Sequence, residues 1–403
     1  MKHHQVVIPL FASLLLASAS TDSAKTIMVH YMPWYASKAV SGSWGWHWTM
    51  NRFDPDKVLA NGQREIASHD YPLIGPYDSS DPHALECQAL LMKFAGIDGV
   101  IIDWYGIQGY NDYAAIHRNT LRFIEYVKKA GLSFAICYED QTLKHMIRGG
   151  ALTEGQSVTH GKAVFEWMQA NWFVDGGYQR VAGRPLLLVF GPQYFDANQW
   201  QELFAGLPTR PYFYALNSRQ LCADGAFGWP PMQGKTDVTP SMWRKYLSDL
   251  YARDEDGKSV IGAVFPKFYD IYEEAGLHDS YGYLDDRDGK TFDETFRTAL
   301  ESPSQLIQIV TWNDYGEGTA IEPTTAFGFR YLEKIQEYKR AQQGKAFLYQ
   351  PEELRLPVTL YQLRKALETD PEAQDNLDSI AALLFTSECQ AAREKLQGVE
   401  NRE

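Results

Sequence analysis

Two carboxylic acids, Asp314 and Glu317, stand three residues apart in the segment 309–323, which is punctuated by glycines and begins in an apolar run. The side chains that accompany them are Trp312, Asn313 and Tyr315. Cleavage of a glycosidic bond needs one acid to protonate the leaving oxygen and a second carboxylate to assist the attack, so this pair suits that chemistry. The alternative is a loop whose acids only accept hydrogen bonds from backbone N–H groups. The segment alone leaves both interpretations open.

Within this pair we predict that Glu317 is the general acid. Gly316 and Gly318 flank it and allow a tight backbone turn, and its aromatic neighbours would raise its pKa by desolvation. Asp314 is then the natural second carboxylate.

Further acids and aromatic residues follow apolar runs that we predict to be strands. These strand ends are 30–35, 103–105, 138–140, Trp229 and 312–317. Aromatic residues make up 14% of the chain and concentrate near such ends, and sugar rings present apolar faces that stack on Trp and Tyr. Most of the aromatics fill the core, as in any large domain. A whole ring of aromatic strand ends, however, favours a carbohydrate cleft.

The remaining acids have more than one interpretation. Asp103 is a substrate ligand or, more often for such a residue, a hydrogen-bonding or structural acid. Glu139 and Asp140 are ligands of substrate hydroxyls or loop caps, and Glu322 is expected to orient a neighbour. The substrate-binding candidates are Tyr31, Trp34, Tyr35, His47, His69, Tyr77, Asp103, Trp104, Tyr138, Glu139, Trp229, Trp312 and Asn313. Any single histidine among them is more often a satisfied polar residue than a ligand.

The elements that would position these residues alternate between strands and helices. Apolar runs predict strands at 26–30, 99–103, 133–137, 185–190, 211–216, 226–229, 260–265 and 306–312. Most are followed by a helical pattern, such as the one that starts at Asp81-Pro82 and ends at Gly96. This order predicts a (β/α)₈ TIM barrel with extended βα loops. An open doubly wound sheet would carry a glycine-rich nucleotide loop after its first strand, and the sequence has none there.

We predict that the chain has three parts. Residues 1–20 have the pattern of a secretory signal peptide, which predicts a secreted or periplasmic protein. Residues 21–356 form the glycosidase barrel, and 357–403 form a C-terminal helical extension with two amphipathic helices. No apolar stretch is long enough to span a membrane.

Composition and charge narrow the range of possible binding partners. The formal net charge of −13 argues against nucleic acid and anionic membranes, and it fits a neutral substrate. Cys87 and Cys137 fall on apolar faces, and Cys222 and Cys389 lie far apart in sequence, so we expect no structural disulfide. No Cys or His cluster has metal-ligand spacing, so we expect no metal and no cofactor, and we expect a monomer.

Three motifs resemble glycoside hydrolase family 99, the endo-α-1,2-mannosidases and endomannanases. They are His-Asp-Tyr-Pro-Leu-Ile-Gly-Pro-Tyr-Asp-Ser-Ser-Asp (69–81), Gly-Val-Ile-Ile-Asp-Trp-Tyr-Gly (99–106) and Glu-Gly-Thr-Ala-Ile-Glu-Pro (317–323). The resemblance runs from about residue 26 to about residue 338. It implies a (β/α)₈ barrel without a catalytic metal that cleaves inside an α-mannoside chain with retention. It further implies that Glu317 is the acid/base and that Asp314 takes the place of the glutamate thought to deprotonate the sugar 2-hydroxyl.

The aspartate at position 314 departs from that family, because Asp is one methylene shorter than Glu. Trp-Asn-Asp-Tyr-Gly-Glu (312–317) also resembles glycoside hydrolase family 71, the endo-α-1,3-glucanases, whose Asp-x-x-Glu pair matches Asp314 and Glu317 directly. The chain is therefore similar to a combined 71/99-like group, with an α-linked polysaccharide or oligosaccharide as the expected substrate. Two alternatives stay open: an inverting endo-α-1,3-glucanase-like enzyme, and a non-catalytic carbohydrate-binding protein on the same scaffold.

Overall fold

The structure is a computed structural model, and it describes residues 24–218 and 222–400. The predicted signal peptide at 1–20 lies outside these residues. The strands are β1 (Thr26–Tyr31), β2 (Gly99–Trp104), β3 (Ser133–Tyr138), β4 (Arg180–Val181), β5 (Arg184–Val189), β6 (Tyr212–Leu216), β7 (Gly225–Phe227), β8 (Val260–Val264), β9 (Phe268–Tyr269), β10 (Tyr283–Leu284) and β11 (Leu306–Ile309).

Eight of these strands close into a parallel barrel, which confirms the predicted fold class. The order around the barrel is β3, β2, β1, β11, β8, β7, β6 and β5, and pairing between β3 and β5 closes the ring. Each of the eight predicted apolar runs overlaps one barrel strand. The side chains of Val100, Ile101 and Ile102 in β2 are fully buried, as expected for a parallel strand covered on both faces.

The helices are α1 (Lys38–Ser41), α2 (Trp46–Thr49), α3 (Pro82–Ala95), α4 (Tyr113–Lys129), α5 (Thr142–Arg148), α6 (Ser157–Met168), α7 (Ala197–Ala205), α8 (Pro240–Tyr251), α9 (Lys290–Glu301), α10 (Arg330–Gln343), α11 (Leu356–Ala366), α12 (Pro371–Phe385) and α13 (Cys389–Glu400). The start of α3 shows why the sequence predicts it: the Asp81 carboxylate accepts a hydrogen bond from the backbone N–H of His83 at 3.0 Å. Gly96 ends that helix in the left-handed conformation, with φ of 85°. Among the described residues, no helix has both the length and the apolar character needed to cross a membrane.

The C-terminal extension contains three helices, α11 to α13, and the expectation of two was wrong. The helix is interrupted between α12 and α13 at Ser387, whose positive φ of 67° ends the helical conformation. The extension packs against α3, where Arg364 of α11 forms a buried ion pair with Glu86 at 2.8 Å. Lys365 forms a second ion pair, at 2.8 Å, with the Asp81 that caps α3.

Candidate active site

A cavity of about 760 Å³, here named the catalytic cavity, opens at the carboxyl ends of the barrel strands. Four acids line it: Asp103 near the end of β2, Glu139 after β3, and Asp314 and Glu317 after β11. The aromatic walls include Trp34, Tyr105, Trp229, Tyr272 and Tyr281. The strand ends therefore bring together acids that are far apart in the sequence, as a barrel of this type predicts.

The segment 311–322, here named the acid loop, positions two of these acids. The Asp314 backbone N–H donates to the Thr311 hydroxyl at 2.8 Å, and the Thr319 N–H donates to the Asp314 carbonyl at 3.1 Å. The neighbouring segment crosses the loop: the N–H groups of Tyr269 and Ile271 donate to the carbonyls of Glu317 and Gly316. These bonds fix the backbone on which both carboxylates are mounted.

Gly318 makes the close crossing possible. Its φ is 67°, and a Cβ atom at this position would lie 2.4 Å from the carbonyl oxygen of Tyr269. A side chain is therefore excluded both by backbone conformation and by space. The glycine next to Glu317 is explained by this approach of two backbones.

Glu317 is partly exposed to the catalytic cavity, and one of its oxygens is held by the indole of Trp229. The Trp229 Nε1–H donates to Glu317 Oε2 at 3.0 Å. Desolvation by burial, followed by the negative charge of Asp314, raises the pKa of Glu317 well above its ordinary value. This environment favours the protonated carboxyl group, which is the state a proton donor needs.

Asp314 is more deeply buried than Glu317, and its carboxylate also helps to hold the loop in place. Its Oδ1 accepts a hydrogen bond from the Glu317 backbone N–H at 3.0 Å. Burial raises the pKa of Asp314 to about 6, while hydrogen bonds from the N–H groups of Glu317 and Gly316 lower it. Asp314 is therefore mostly ionised at neutral pH. The two acids share one loop, and the charge on Asp314 favours the protonated form of Glu317.

Asp103 and Glu139 line the same cavity from the ends of the neighbouring strands β2 and β3. Burial, and then the charge of Glu139, raises the pKa of Asp103 well above its ordinary value. Asp103 Oδ1 is buried and has no hydrogen-bond partner in the described part of the chain. Burial raises the pKa of Glu139 to about 8, although Gln141 donates a hydrogen bond to it at 2.6 Å. Asp140 is a loop cap, because its carboxylate accepts from the backbone N–H groups of residues 193–195.

Glu322 lies at the end of the acid loop, away from the cavity, and only 1% of its surface is exposed. Its carboxylate accepts hydrogen bonds from the hydroxyls of Tyr77 and Tyr315, at 2.9 and 2.7 Å, and from the Gln88 amide at 2.7 Å. Burial nevertheless raises its pKa to about 7, because the donors only partly offset the loss of water. Glu322 thus joins the acid loop to α3 and to the loop before it.

The structure brings six of the predicted site residues to the catalytic cavity: Trp34, Asp103, Glu139, Trp229, Asp314 and Glu317. Tyr35 and His47 line a neighbouring cavity instead. His69 stacks on Tyr269 with ring centres 3.6 Å apart and pairs with Glu274 at 2.8 Å.

The other predicted residues face the protein interior. Tyr31 stacks on Phe123 of α4, while Trp104 packs on Trp172 and Tyr138 packs on Phe165 in the helical layer. Successive side chains of a strand point to opposite faces, so Asp103 points into the barrel and Trp104 points out. The remaining three are Trp312, fully buried, and Tyr77 and Asn313, which hydrogen-bond to each other at 2.9 Å.

Sequence reasoning missed several residues of the cavity. They are Met32, Phe190, Gln193, Met232, Phe268, Tyr272, His278 and Tyr281, and most lie in the loops after β5 and β8. Because both strands were predicted, the loops that follow them were expected at the same end of the barrel as the acids. No group of three or more His, Cys, Asp or Glu side chains within 24–218 and 222–400 has an arrangement suited to a metal ion.

Comparison with known proteins places this site in context. The model of glycosyl hydrolase family 99 matches residues 23–343. Among solved structures, an endo-α-mannosidase of that family from Bacteroides thetaiotaomicron, in complex with BIS-TRIS-propane, is 21% identical with a TM-score of 0.57. The match covers 79% of this chain and 98% of that one.

A structure described as a glycoside hydrolase-like protein is 14% identical with a TM-score of 0.54, covering 82% of this chain and 96% of that one. At these identities the structural likeness shows the shared fold. No curated protein sequence matches this chain significantly.

Proposed function

This chain belongs to glycosyl hydrolase family 99 and is a glycoside hydrolase, and from this premise we propose that it cleaves inside α-linked mannose chains with retention of configuration. Glu317 is the proposed acid/base and Asp314 the proposed partner carboxylate. The similar solved structures described as endo-α-mannosidases support mannose as the sugar. Export by the segment 1–20 is part of the proposal, since a polymer substrate lies outside the cell.

The observation that carries the proposal is a pair of neighbouring acids on one loop, in which the charge on Asp314 favours the protonated form of Glu317. Asp314 has a pKa of about 6, and the pKa of Glu317 is raised well above its ordinary value, partly by the charge on Asp314. One member is thus ready to accept a proton while the other still holds one. Pairs of acids whose surroundings separate their pKa values are the usual basis for dividing acid and base roles.

The proposed reaction has two steps. In the first step Glu317 gives its proton to the glycosidic oxygen, while Asp314 takes the proton of the sugar 2-hydroxyl. The 2-oxygen then attacks the anomeric carbon as the leaving sugar departs. Water then attacks the anomeric carbon and breaks its bond to the 2-oxygen, while Glu317 takes a proton from the water and Asp314 returns its proton to the departing 2-oxygen. Two inversions at the anomeric carbon restore the α configuration, and both acids regain their starting states.

The hydrogen bonds of Asp314 bear on whether this side chain, one methylene shorter than glutamate, can act as the base. Its Oδ1 accepts a hydrogen bond from the Glu317 backbone N–H, so one carboxylate oxygen is held in place. The segment 269–271 in turn holds the loop that carries the carboxylate. This arrangement supports a fixed base even with one methylene fewer.

The test is hydrolysis of α-mannans and of α-1,3-glucan, with the products analysed by size and the first-formed anomer identified by NMR. We expect oligosaccharides from α-mannan, with the α anomer appearing first. Cleavage of α-1,3-glucan with an initial β product would instead support the inverting alternative, and tight binding without any hydrolysis would support a carbohydrate-binding protein.

A further inference from the structure

Asp314 is the central residue of a tight turn in the acid loop. The Tyr315 N–H donates to the Asn313 carbonyl at 3.0 Å, so this hydrogen bond encloses Asp314 alone. A hydrogen bond between residues only two positions apart is bent, and bent hydrogen bonds are weak. The turn therefore needs further contacts to hold a single conformation.

The hydroxyl of Tyr35 binds both ends of this turn. It donates to the Asn313 carbonyl at 2.7 Å and accepts from the Tyr315 N–H at 3.1 Å. Burial, and then the negative charge of Asp314, raises the pKa of Tyr35 well above its ordinary value. The hydroxyl therefore keeps its proton and serves as donor and acceptor at the same time.

Tyr35 is itself held firmly by the long loop between β1 and α3. Its N–H donates to Ser79 Oγ at 3.1 Å, and the Ser79 N–H donates to its carbonyl at 2.8 Å. Its ring packs on Trp48 with ring centres 4.1 Å apart, and only 1% of its surface is exposed. A close-packed side chain of this kind has little freedom to move, so its hydroxyl is a fixed point against which the turn rests.

We infer that Tyr35 is a positioning residue, which aims the Asp314 carboxylate at the substrate by holding the turn that carries it. The inference rests on the proposed function, in which Asp314 is the partner carboxylate, and extends it. Tyr35 is not among the residues that line the catalytic cavity, so it acts through the backbone. An aspartate carboxylate stands one bond closer to the backbone than a glutamate carboxylate, so its place in the cavity follows the turn more directly.

Tyr35→Phe removes the hydroxyl and keeps the ring. We expect kcat on α-mannan to fall about tenfold while KM stays nearly unchanged, because a displaced catalytic group slows the chemical step without removing a contact to the substrate. Steady-state kinetics give both values, and thermal melts show that the variant is folded.

Tyr178→Phe is the matched control. Tyr178 is also buried, and its hydroxyl likewise donates to a backbone carbonyl, that of Leu186 at 2.8 Å, and accepts from a backbone N–H, that of Ile136 at 3.3 Å. These partners lie in β5 and β3, away from the acid loop. The two variants should lose stability to a similar degree, and only Tyr35→Phe should lose kcat.

The pH profile of kcat/KM gives a readout that a loss of stability would not change. Hydrogen bonds from the N–H groups of Glu317 and Gly316 lower the pKa of Asp314, so a loosened turn weakens them and moves the acid limb to higher pH. The ionisable groups that feel the charge of Asp314 include Tyr35, Asp103, Tyr105, Tyr272 and Glu317. Tyr35→Phe removes no charge from this set, because Tyr35 is neutral throughout the range. A shift of the limb therefore reports the geometry of the turn.

A double variant tests whether Tyr35 acts through Asp314. In the Asp314→Asn background, Tyr35→Phe should cause no further loss of kcat on an activated aryl α-mannoside, because the group that it positions is already gone. The same tenfold loss in both backgrounds would show that Tyr35 acts on something else. If Tyr35→Phe does not fold, Ser79→Ala takes its place, and its expected effect is a smaller fall in kcat, about threefold, with the same direction of shift in the acid limb.

The outcomes separate the two proposals. If folded Tyr35→Phe keeps the kcat and the pH profile of the wild type, or if Tyr178→Phe loses as much kcat, the inference is wrong while the proposed function stands. If the wild type cleaves α-1,3-glucan and not α-mannan, the proposed sugar is wrong, and the same variants measured on that glucan decide the inference. If the wild type cleaves neither polymer, both proposals fail.

Discussion

Glu317 and Glu322 occupy the same loop, but they differ in their hydrogen-bond donors and in their access to the catalytic cavity. Glu322 is buried with three side-chain donors around it, from Tyr77, Gln88 and Tyr315. Glu317 faces a cavity, receives one hydrogen bond, and stands near another acid. Both have raised pKa values, mainly through desolvation. A raised pKa therefore does not by itself mark a catalytic acid; the free access of a substrate to the carboxyl group does.

The largest effect expected from this contrast is on turnover in Glu317→Gln. The amide keeps the shape of the side chain but has no proton to donate, so kcat on the polymer should fall by about 10²-fold or more. The melting temperature should stay the same or rise, because the change removes a carboxyl group held near Asp314. Steady-state kinetics and thermal melts check both outcomes. A variant with near wild-type turnover would remove Glu317 from the reaction.

Asp314→Asn is expected to have a similar but separable effect, a loss of about 10²-fold in kcat. Asn keeps the Oδ1 acceptor for the Glu317 N–H, so the acid loop should keep its fold. Crystal structures of the variant and the wild type would show this directly. Substantial activity in a correctly folded variant would mean that Asp314 acts only as a loop residue.

The pH dependence of kcat/KM should report both acids of the catalytic cavity. Asp314 must be ionised, so kcat/KM should fall about tenfold per pH unit below its pKa of about 6. Glu317 must be protonated, so activity should also fall at a higher pH. The two acids are coupled, and the two limbs belong to the pair. In Asp314→Asn the acid limb should disappear; if it stays unchanged, another group controls it.

Glu322→Gln should give the opposite pattern, with lower stability and little change in the kcat of the folded enzyme. An amide cannot accept all three hydrogen bonds, and a buried donor left unsatisfied costs about 1–3 kcal/mol. We expect the melting temperature to fall by a few degrees. A large loss of kcat with unchanged stability would remove the distinction between the two glutamates.

The smallest expected effect is on the pH dependence of stability. The pKa of Glu322 is about 7 in the folded protein, above its ordinary value, so the fold holds the proton more tightly than the unfolded chain does. Its contribution is complete below the ordinary value of 4.5 and is lost as the pH rises through about 7. Melting temperatures measured across this window should fall less steeply for Glu322→Gln than for the wild type. Equal slopes would show that Glu322 does not titrate in that window.

The sequence was enough to predict the barrel and to place Asp314 and Glu317 after its last strand. A short apolar run such as that of β2 is typical of a buried parallel strand. The acid loop directly follows another such run, that of β11. The alternation of side chains along a strand would also have separated Asp103, which faces the cavity, from Trp104, which faces the helices.

Other features depend on contacts that no local pattern carries. The partners of Glu322 come from α3 and the loop before it, more than two hundred residues earlier in the chain. Tyr272 and Tyr281 reach the cavity only because the segment after β8 folds back across the acid loop. Such positions follow from the tertiary path of loops without periodicity, and the sequence alone does not determine that path.

The most direct test of the account is the leaving-group dependence of Glu317→Gln. An activated aryl α-mannoside departs with little help from a proton, whereas a sugar leaving group needs protonation. We predict that the variant loses much less activity on the activated substrate than on α-mannan, with the wild type and Glu322→Gln measured alongside. An equal loss on both substrates would contradict the assignment of Glu317 as the proton donor.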